Sequence, residues 1–238
     1  TGSDLERILG RLRNRLVRPR ELGGLRATVR GLPGIKDALL RLGDRYPSIQ
    51  SLAAALDTFD ELRELLDRAL EEELPPEIKV DVKGESAKVI KAGFDEEFDS
   101  LRELGSGGKK WIVDLEARER EKTGIGNLKV KYNGAFGYFI EITKANLSLV
   151  PEHYVRKQTM TNAERFYTEE LRQKEKEIVN AEERTVAKEQ ELFLQVVEST
   201  LGYADSLAKT AEVLAEIDLF SSWGSIMRDR DYCLPEFV

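Results

Sequence analysis

The sequence predicts a mainly α protein in which a helical core with long helices carries a small inserted, mostly β domain. Three observations predict it. Apolar residues recur at three- and four-residue steps through most of the 238 residues, the period of helices with one buried face. Residues 124–168 break that period: they are basic, rich in Gly, Asn and aromatics, and alternate every second residue. This segment lies between two long, highly charged helical runs, so it reads as a tip held by paired helices. From Lys122 to Thr168 seven Lys/Arg face three acids, a balance of +4 inside a chain of net charge −7, which leaves −11 for the remainder. A tip opposite in sign to its support points to contact with a polyanion at one end only.

Charged residues make up 34% of the chain and apolar residues 41%, enough for a core but with the high surface share of extended helices. No apolar run approaches the ~20 residues a bilayer span requires, and no signal peptide is evident. Cys233 is the only cysteine, which excludes an internal disulfide and points to a reducing compartment.

The elements follow in order. The opening Thr1-Gly2-Ser3 reads as a cloning remnant. Asp4 is a candidate N-cap for a first helix with Leu5, Ile8, Leu9, Leu12 and Leu16 on one face. Pro19 suits the first position of a second helix, with Leu22, Leu25 and Val29. Gly31 and Pro33 predict its end, with a short third helix over Ile35, Leu39 and Leu40. Leu52 to Leu56 form a fourth, and Phe59, Leu62, Leu65, Leu66 and Leu70 an amphipathic run that stops before Pro75-Pro76. Ile78, Val80 and Val82 alternate as a short strand with a turn at Gly84. Asp95 caps the next helix, whose stripe of Phe98, Leu101, Gly105, Gly108, Ile112 and Leu115 keeps helical phase across a glycine-rich joint. Arg118 to Lys122 form its polar end and Gly124 its stop.

Thr168 is a good N-cap, followed by Glu169 and Glu170, for a helix on which Leu171, Ile178, Thr185 and Leu192 recur every seven residues. That sparse seam requires a neighbour, and the Asp95–Glu121 helix is the natural antiparallel one. A last helix follows Gly202, with Leu207, Ala211, Val213, Leu214, Ile217 and Leu219. Tyr232 to Val238 read as extended, as though the chain continued in a larger protein.

Within the tip, Leu128, Val130 and Tyr132 share one strand face and Lys129, Lys131 and Asn133 the other. Asn133-Gly134-Ala135-Phe136-Gly137 supplies a turn, and Tyr138, Ile140 and Ile142 resume the alternation. The segment Tyr154 to Asn162 then sets Arg156 and Lys157 beside Gln158, Thr159, Thr161 and Asn162, side chains that donate to phosphate oxygens. Spacing alone leaves two readings open, a solvated basic face and a phosphate-binding one.

Catalytic motifs are missing. Gly108-Lys109-Lys110 lacks the Ser/Thr of a phosphate-binding loop, and Glu103 stands where its first glycine belongs, so Gly105–Gly108 reads as a flexible joint. One histidine, His153, and one cysteine exclude His-pair and cysteine-cluster zinc sites. His153 reads as a loop or packing residue, Trp111, Trp223 and Cys233 as core, and the abundant helical acids as solvated faces.

The tip and its flanks resemble the MutS family of DNA mismatch-repair ATPases. The resemblance rests on Leu115-Glu116-Ala117-Arg118-Glu119-Arg120, Thr123-Gly124-Ile125, Tyr132-Asn133, Phe136-Gly137-Tyr138-Phe139-Ile140, Thr143-Lys144-Ala145-Asn146, Arg156-Lys157-Gln158-Thr159 and Asn162-Ala163-Glu164-Arg165. Phe94-Asp95-Glu96-Glu97 and Leu214-Ala215-Glu216-Ile217-Asp218 extend it to nearly the whole chain. It implies a helical core and ascending lever over residues 4–121, a clamp insertion over 122–168, and over 169–238 a descending lever, a final core helix and the start of a link to a further domain. It also implies a clamp that holds duplex DNA through its backbone without reading sequence. Lys129, Lys131, Arg156 and Lys157 would neutralise phosphates, and Asn133, Gln158, Thr159, Thr161 and Asn162 would position the backbone.

Thr161 departs from the resemblance, since some relatives carry a basic residue there, whereas Lys131 adds a charge. The mismatch-reading module and the ATPase, with its ATP and Mg, belong to segments outside this chain. No cofactor, metal or catalytic residue is therefore expected within it. The implied partners are double-stranded DNA, a second subunit in a homodimer and downstream repair factors, in the cytoplasm and on the nucleoid, with no membrane. The competing readings are a helical structural adaptor whose tip binds a protein, and a paralogue of the family acting in recombination.

Overall fold

Residues 2–43, 45–78, 88–230 and 232 are described by the computed structural model. Four helices come first: α1 (Gly2–Arg13), α2 (Pro19–Gly43), α3 (Pro47–Ala55) and α4 (Asp60–Ala69). The long α5 (Glu96–Thr123) follows, then strands β1 (Lys129–Asn133), β2 (Gly137–Thr143), β3 (Val155–Thr159) and β4 (Ala163–Tyr167), and finally α6 (Glu169–Leu201) and α7 (Ala204–Arg230). The fold class is the expected one, mainly α with a small inserted β domain. The described residues group into two compact units, one comprising 2–78, 88–94 and 190–230 and the other Asp95–Glu189. The expected strand over Ile78, Val80 and Val82 lies mostly outside the described residues, as do Gly84 and Cys233; Ile78 itself is not in a strand.

In the first unit α1 buries Leu5, Ile8, Leu9 and Leu12 against α7 and α2. The helix starts before Asp4, which therefore sits in the first turn instead of capping it, and Leu16 lies past its end, 63% exposed. The expected break at Gly31 and Pro33 does not occur, because α2 runs through both. A proline inside a helix costs about 3 kcal/mol through its missing N–H and its clash with the preceding turn. Leu22, Leu25, Val29, Leu32 and Leu39 nevertheless form one buried row along α2. At about 1.5–3 kcal/mol per buried aliphatic side chain, that row outweighs the proline. Trp223 is exposed and not core, beside Leu219, Phe220 and Ile226 on α7.

In the second unit Asp95 caps α5, its carboxylate accepting from the Phe98 amide at 2.8 Å. Gly124 stops the helix in the left-handed region, φ 69°, with its N–H bonded to Arg120 O. Thr168 Oγ1 accepts from the Leu171 amide at 3.2 Å and caps α6. α5 and α6 run antiparallel: Glu97 pairs with Lys188 at 2.9 Å, Gly108 faces Ile178, and Arg118 pairs with Glu170. This register gives Gly108 a packing role. A Cβ there would overlap the buried Ile178, while Gly105 and Gly107 face open space. Gly108→Val is therefore expected to destabilise the second unit by about 1–3 kcal/mol through overpacking. Gly107→Ala is expected to be neutral or to stabilise by up to about 1 kcal/mol. Denaturant titration of both variants checks this; equal effects would mean that both act through backbone entropy alone.

The strands form one antiparallel sheet of order β1-β2-β4-β3. Val130, Ile140, Ile142 and Phe166 turn to a cluster with Ile112 and Leu115 of α5 and Leu171 and Ile178 of α6. Trp111, read from sequence as core, is partly buried against that cluster.

Candidate nucleic-acid interface

The β1–β2 hairpin is built as the alternation predicts. Asn133 closes its turn: its Oδ1 accepts from the Ala135 amide at 2.9 Å and its carbonyl from the Phe136 amide at 3.0 Å. Gly137 follows at φ 69°, where a Cβ would also overlap Glu175. Strands β3 and β4 were not read as strands from sequence. Arg156-Lys157-Gln158 carries a register shift against β4, the mark of an edge-strand bulge, and that hides the two-residue period.

Cross-strand register gathers one polar group. Lys129 stands opposite Glu141, Glu141 opposite Arg165, and Arg165 opposite Gln158. Lys131 Nζ lies 2.6 Å from Glu141 Oε1, a diagonal pair. Arg165 donates through Nη1 to Gln158 Oε1 at 2.8 Å and stacks 4.3 Å above the Phe139 ring. Its Nε stands 3.6 Å from Glu141 Oε2. The lysine and arginine beside Glu141, the Lys131 hydrogen bond first, hold its carboxyl below the usual range against the opposing effect of burial. At this end of the sheet the β3–β4 turn carries Thr159, Met160, Thr161 and Asn162, all exposed, with Asn162 O accepting from the Lys144 amide at 3.1 Å.

The other expected site residues lie apart from this group. Arg156 is 61% exposed and pairs with the nearly buried Glu164 at 2.7 Å. Lys157 donates to the Phe136 carbonyl at the hairpin end and reaches over the Tyr167 ring, where Arg172 also lies. Asn133 shares that end, with its carboxamide oxygen committed to the turn. Thus Lys129, Lys131, Gln158, Thr159, Thr161 and Asn162 gather at one end, and Asn133 and Lys157 lie at the other.

Arg165 and Glu141 of this group, and Glu164 beside Arg156, escaped the sequence reading as site members. The alternation of Ala163, Arg165 and Tyr167 was a usable signal, but only with the strand assigned.

The insertion is tied to α5 by polar contacts as well as by the core. Tyr154 Oη donates to Glu119 Oε2 at 2.6 Å with both residues buried, Arg120 Nε donates to Leu128 O at 2.7 Å, and the Val130 amide donates to Glu116 at 2.7 Å. Burial, and then the Glu119 bond, raise the Tyr154 hydroxyl far above the ordinary tyrosine range. Glu119, read from sequence as part of a solvated helix end, is 4% exposed because the insertion folds back over it. Among the described residues there is no group of three or more side chains that could hold a metal, and no helix is long and apolar enough to cross a membrane.

The geometry is that of a helix-borne β module with a cationic face, a class defined by position and charge and not by a catalytic centre. Comparison with known proteins narrows the class. Residues 93–184 match the family model described as MutS family domain IV. The chain is 41% identical over 233 residues to the DNA mismatch repair protein MutS of Clostridium botulinum strain Hall, covering 98% of this chain and 24% of that protein. The MutS of Clostridium botulinum strain Langeland is 42% identical over the same shares, and that of Geobacillus sp. strain WCH70 is 40% identical over 235 residues, 98% of this chain and 26% of that protein. The chain thus spans about a quarter of the length of these curated relatives.

Proposed function

We propose that the β domain is a clamp that holds duplex DNA by its phosphate backbone, on levers formed by α5 and α6. One observation carries this reading: the sheet brings Lys129, Lys131, Arg165 and Gln158 onto one polar face, beside a turn of exposed Thr159, Thr161 and Asn162. Cations and short hydroxyl or amide donors at that spacing suit phosphate oxygens, and the sheet offers no helix for base readout in the major groove. Arg156 and Lys157 extend the cationic surface, and Asn133 adds its amide. In the whole protein this region would be coupled to an ATP- and Mg-dependent ATPase, to a second subunit of a homodimer and to downstream repair factors, in the cytoplasm and on the nucleoid. The fragment itself is proposed to be non-catalytic and to bind no cofactor.

Fluorescence anisotropy with a labelled duplex tests the reading. Binding is expected to weaken with salt at a log–log slope of roughly −3 to −4, for three or four neutralised phosphates. Lys129→Glu combined with Arg156→Glu is expected to weaken it at least about ten-fold at moderate salt. Matched and mismatched duplexes should bind alike. A salt-independent affinity, or a double variant that binds as the parent does, would sink the proposal. The latter outcome is what the second reading, a helical adaptor for a protein partner, expects. That reading draws on the exposed α7 face of Leu219, Phe220, Trp223 and Ile226.

A further inference from the structure

The charge of the tip is not freely available. Of its cations, Lys131 and Arg165 lie against Glu141, and Arg156 lies against Glu164. Glu141 occupies strand β2 with Lys131 on the diagonal of β1 and Arg165 across on β4, so one carboxylate serves two cations. The Glu164 side chain is 7% exposed while Arg156, which it holds, is 61% exposed. The acid is thus anchored and the arginine head is at the surface. By contrast Glu152, the third acid of the tip, is exposed and has no cation partner among the described residues.

We propose that Glu141 and Glu164 are built-in competitors of DNA phosphates, holding Lys131, Arg165 and Arg156 in the free protein and releasing them only to a ligand that presents several phosphates at once. The proposal rests on the duplex-backbone reading above and names the regulation of that same surface. The magnitudes allow such an exchange. The exposed Lys131 head opens from Glu141 at a cost of about 0–1 kcal/mol, whereas the largely buried Arg165–Glu141 pair and the buried Glu164 hold more strongly and yield only to a multiply charged ligand. A single phosphate gains little by displacing one carboxylate, whereas a duplex offers a row of phosphates and releases condensed counterions for each one neutralised. The acids therefore lower affinity for isolated anions more than for a polyanion. They also keep the three cations from repelling one another when nothing is bound.

The test is duplex binding by the chain carrying Glu141→Gln, which keeps the side-chain shape and removes the charge. Glu164→Gln, Glu152→Gln and Lys129→Glu are measured alongside. Glu141→Gln is expected to tighten binding about five-fold at low salt and to steepen the log–log salt slope by about one. Glu164→Gln should act in the same direction through Arg156. Should its loss of a nearly buried pair unfold the domain by circular dichroism, the more exposed Glu141 decides alone. Glu152→Gln makes the same charge change without freeing a cation and is expected to stay within two-fold. The proposal is overturned if Glu141→Gln weakens binding or leaves it unchanged, or if Glu152→Gln tightens it as much, which would reduce the effect to net charge. Those outcomes leave the clamp reading intact as long as Lys129→Glu still weakens binding; if Lys129→Glu has no effect, the clamp reading itself fails.

Discussion

Phe166→Ala is expected to destabilise the inserted β domain by about 3–5 kcal/mol, the range for deleting a buried aromatic ring. Phe166 is 4% exposed, sits on strand β4 between Ile140 of β2 and Arg156 of β3, and lies 6.2 Å from the Tyr154 ring. It belongs to a cluster that joins the sheet to Ile112 and Leu115 of α5 and to Leu171 and Ile178 of α6. Its loss opens a cavity where sheet and helices meet. Since a domain is stable by only about 5–15 kcal/mol, the variant should leave a measurable fraction of the sheet unfolded. Hydrogen exchange should show faster exchange at the amides of β1, β2 and β4, with α2 and α4 unaffected. Phe166→Leu, which retains most of the volume, should recover more than half of the loss. A change below about 1 kcal/mol for the alanine variant would mean that the ring is not a core element.

Arg26→Met is expected to cost about 3 kcal/mol in the first unit, from hydrogen bonds of a charged donor to otherwise unpaired carbonyls. Arg26 is 4% exposed on α2. Its guanidinium donates to Leu70 O at 2.7 Å, to Glu71 O at 2.9 Å and to Glu72 O at 3.2 Å. These carbonyls follow the end of α4, where no helical partner exists. The same stretch is held by the Leu70–Ile90 bridge and by the Glu71 amide on Val89 O, so Arg26 completes the seam at which residues 88–91 join the helices. Methionine keeps the aliphatic volume but supplies no donor. Lysine, with one compact ammonium in place of a planar fork, should restore only part of the stability. Denaturant unfolding of the three proteins checks the order arginine, lysine, methionine; a methionine variant as stable as the parent would show that water satisfies the carbonyls.

Much of this architecture was legible in the chain because local chemistry and period agreed. Asp95, Gly124 and Thr168 are punctuation that functions by itself, a side-chain oxygen on an orphan amide or a backbone that tolerates positive φ, and all three stand where the sequence puts them. The hairpin was legible because Val130, Tyr132, Tyr138 and Ile140 alternate around an Asn-Gly turn. Strands β3 and β4 were not, because their outward residues are charged and a bulge shifts the period. The break at Pro33 was wrongly expected because the proline penalty is local while the buried row that overrides it is not. Glu119 read as a solvated end because nothing in its neighbourhood shows that Tyr154, far along the chain, folds onto it.

By itself, then, the sequence determined the mainly α class, the place of the insertion, its hairpin, its excess of positive charge and, through specific motifs, the family resemblance. These depend on residue type and near-neighbour spacing. Only the tertiary structure decided which cations share a face and which are held by Glu141 and Glu164, that Gly108 is a contact with Ile178 and not merely a joint, and that Arg165 belongs with Lys129 and Lys131. Strand register sets those facts. A register pairs residues distant along the chain, and a slip of one position would send every side chain to the opposite face.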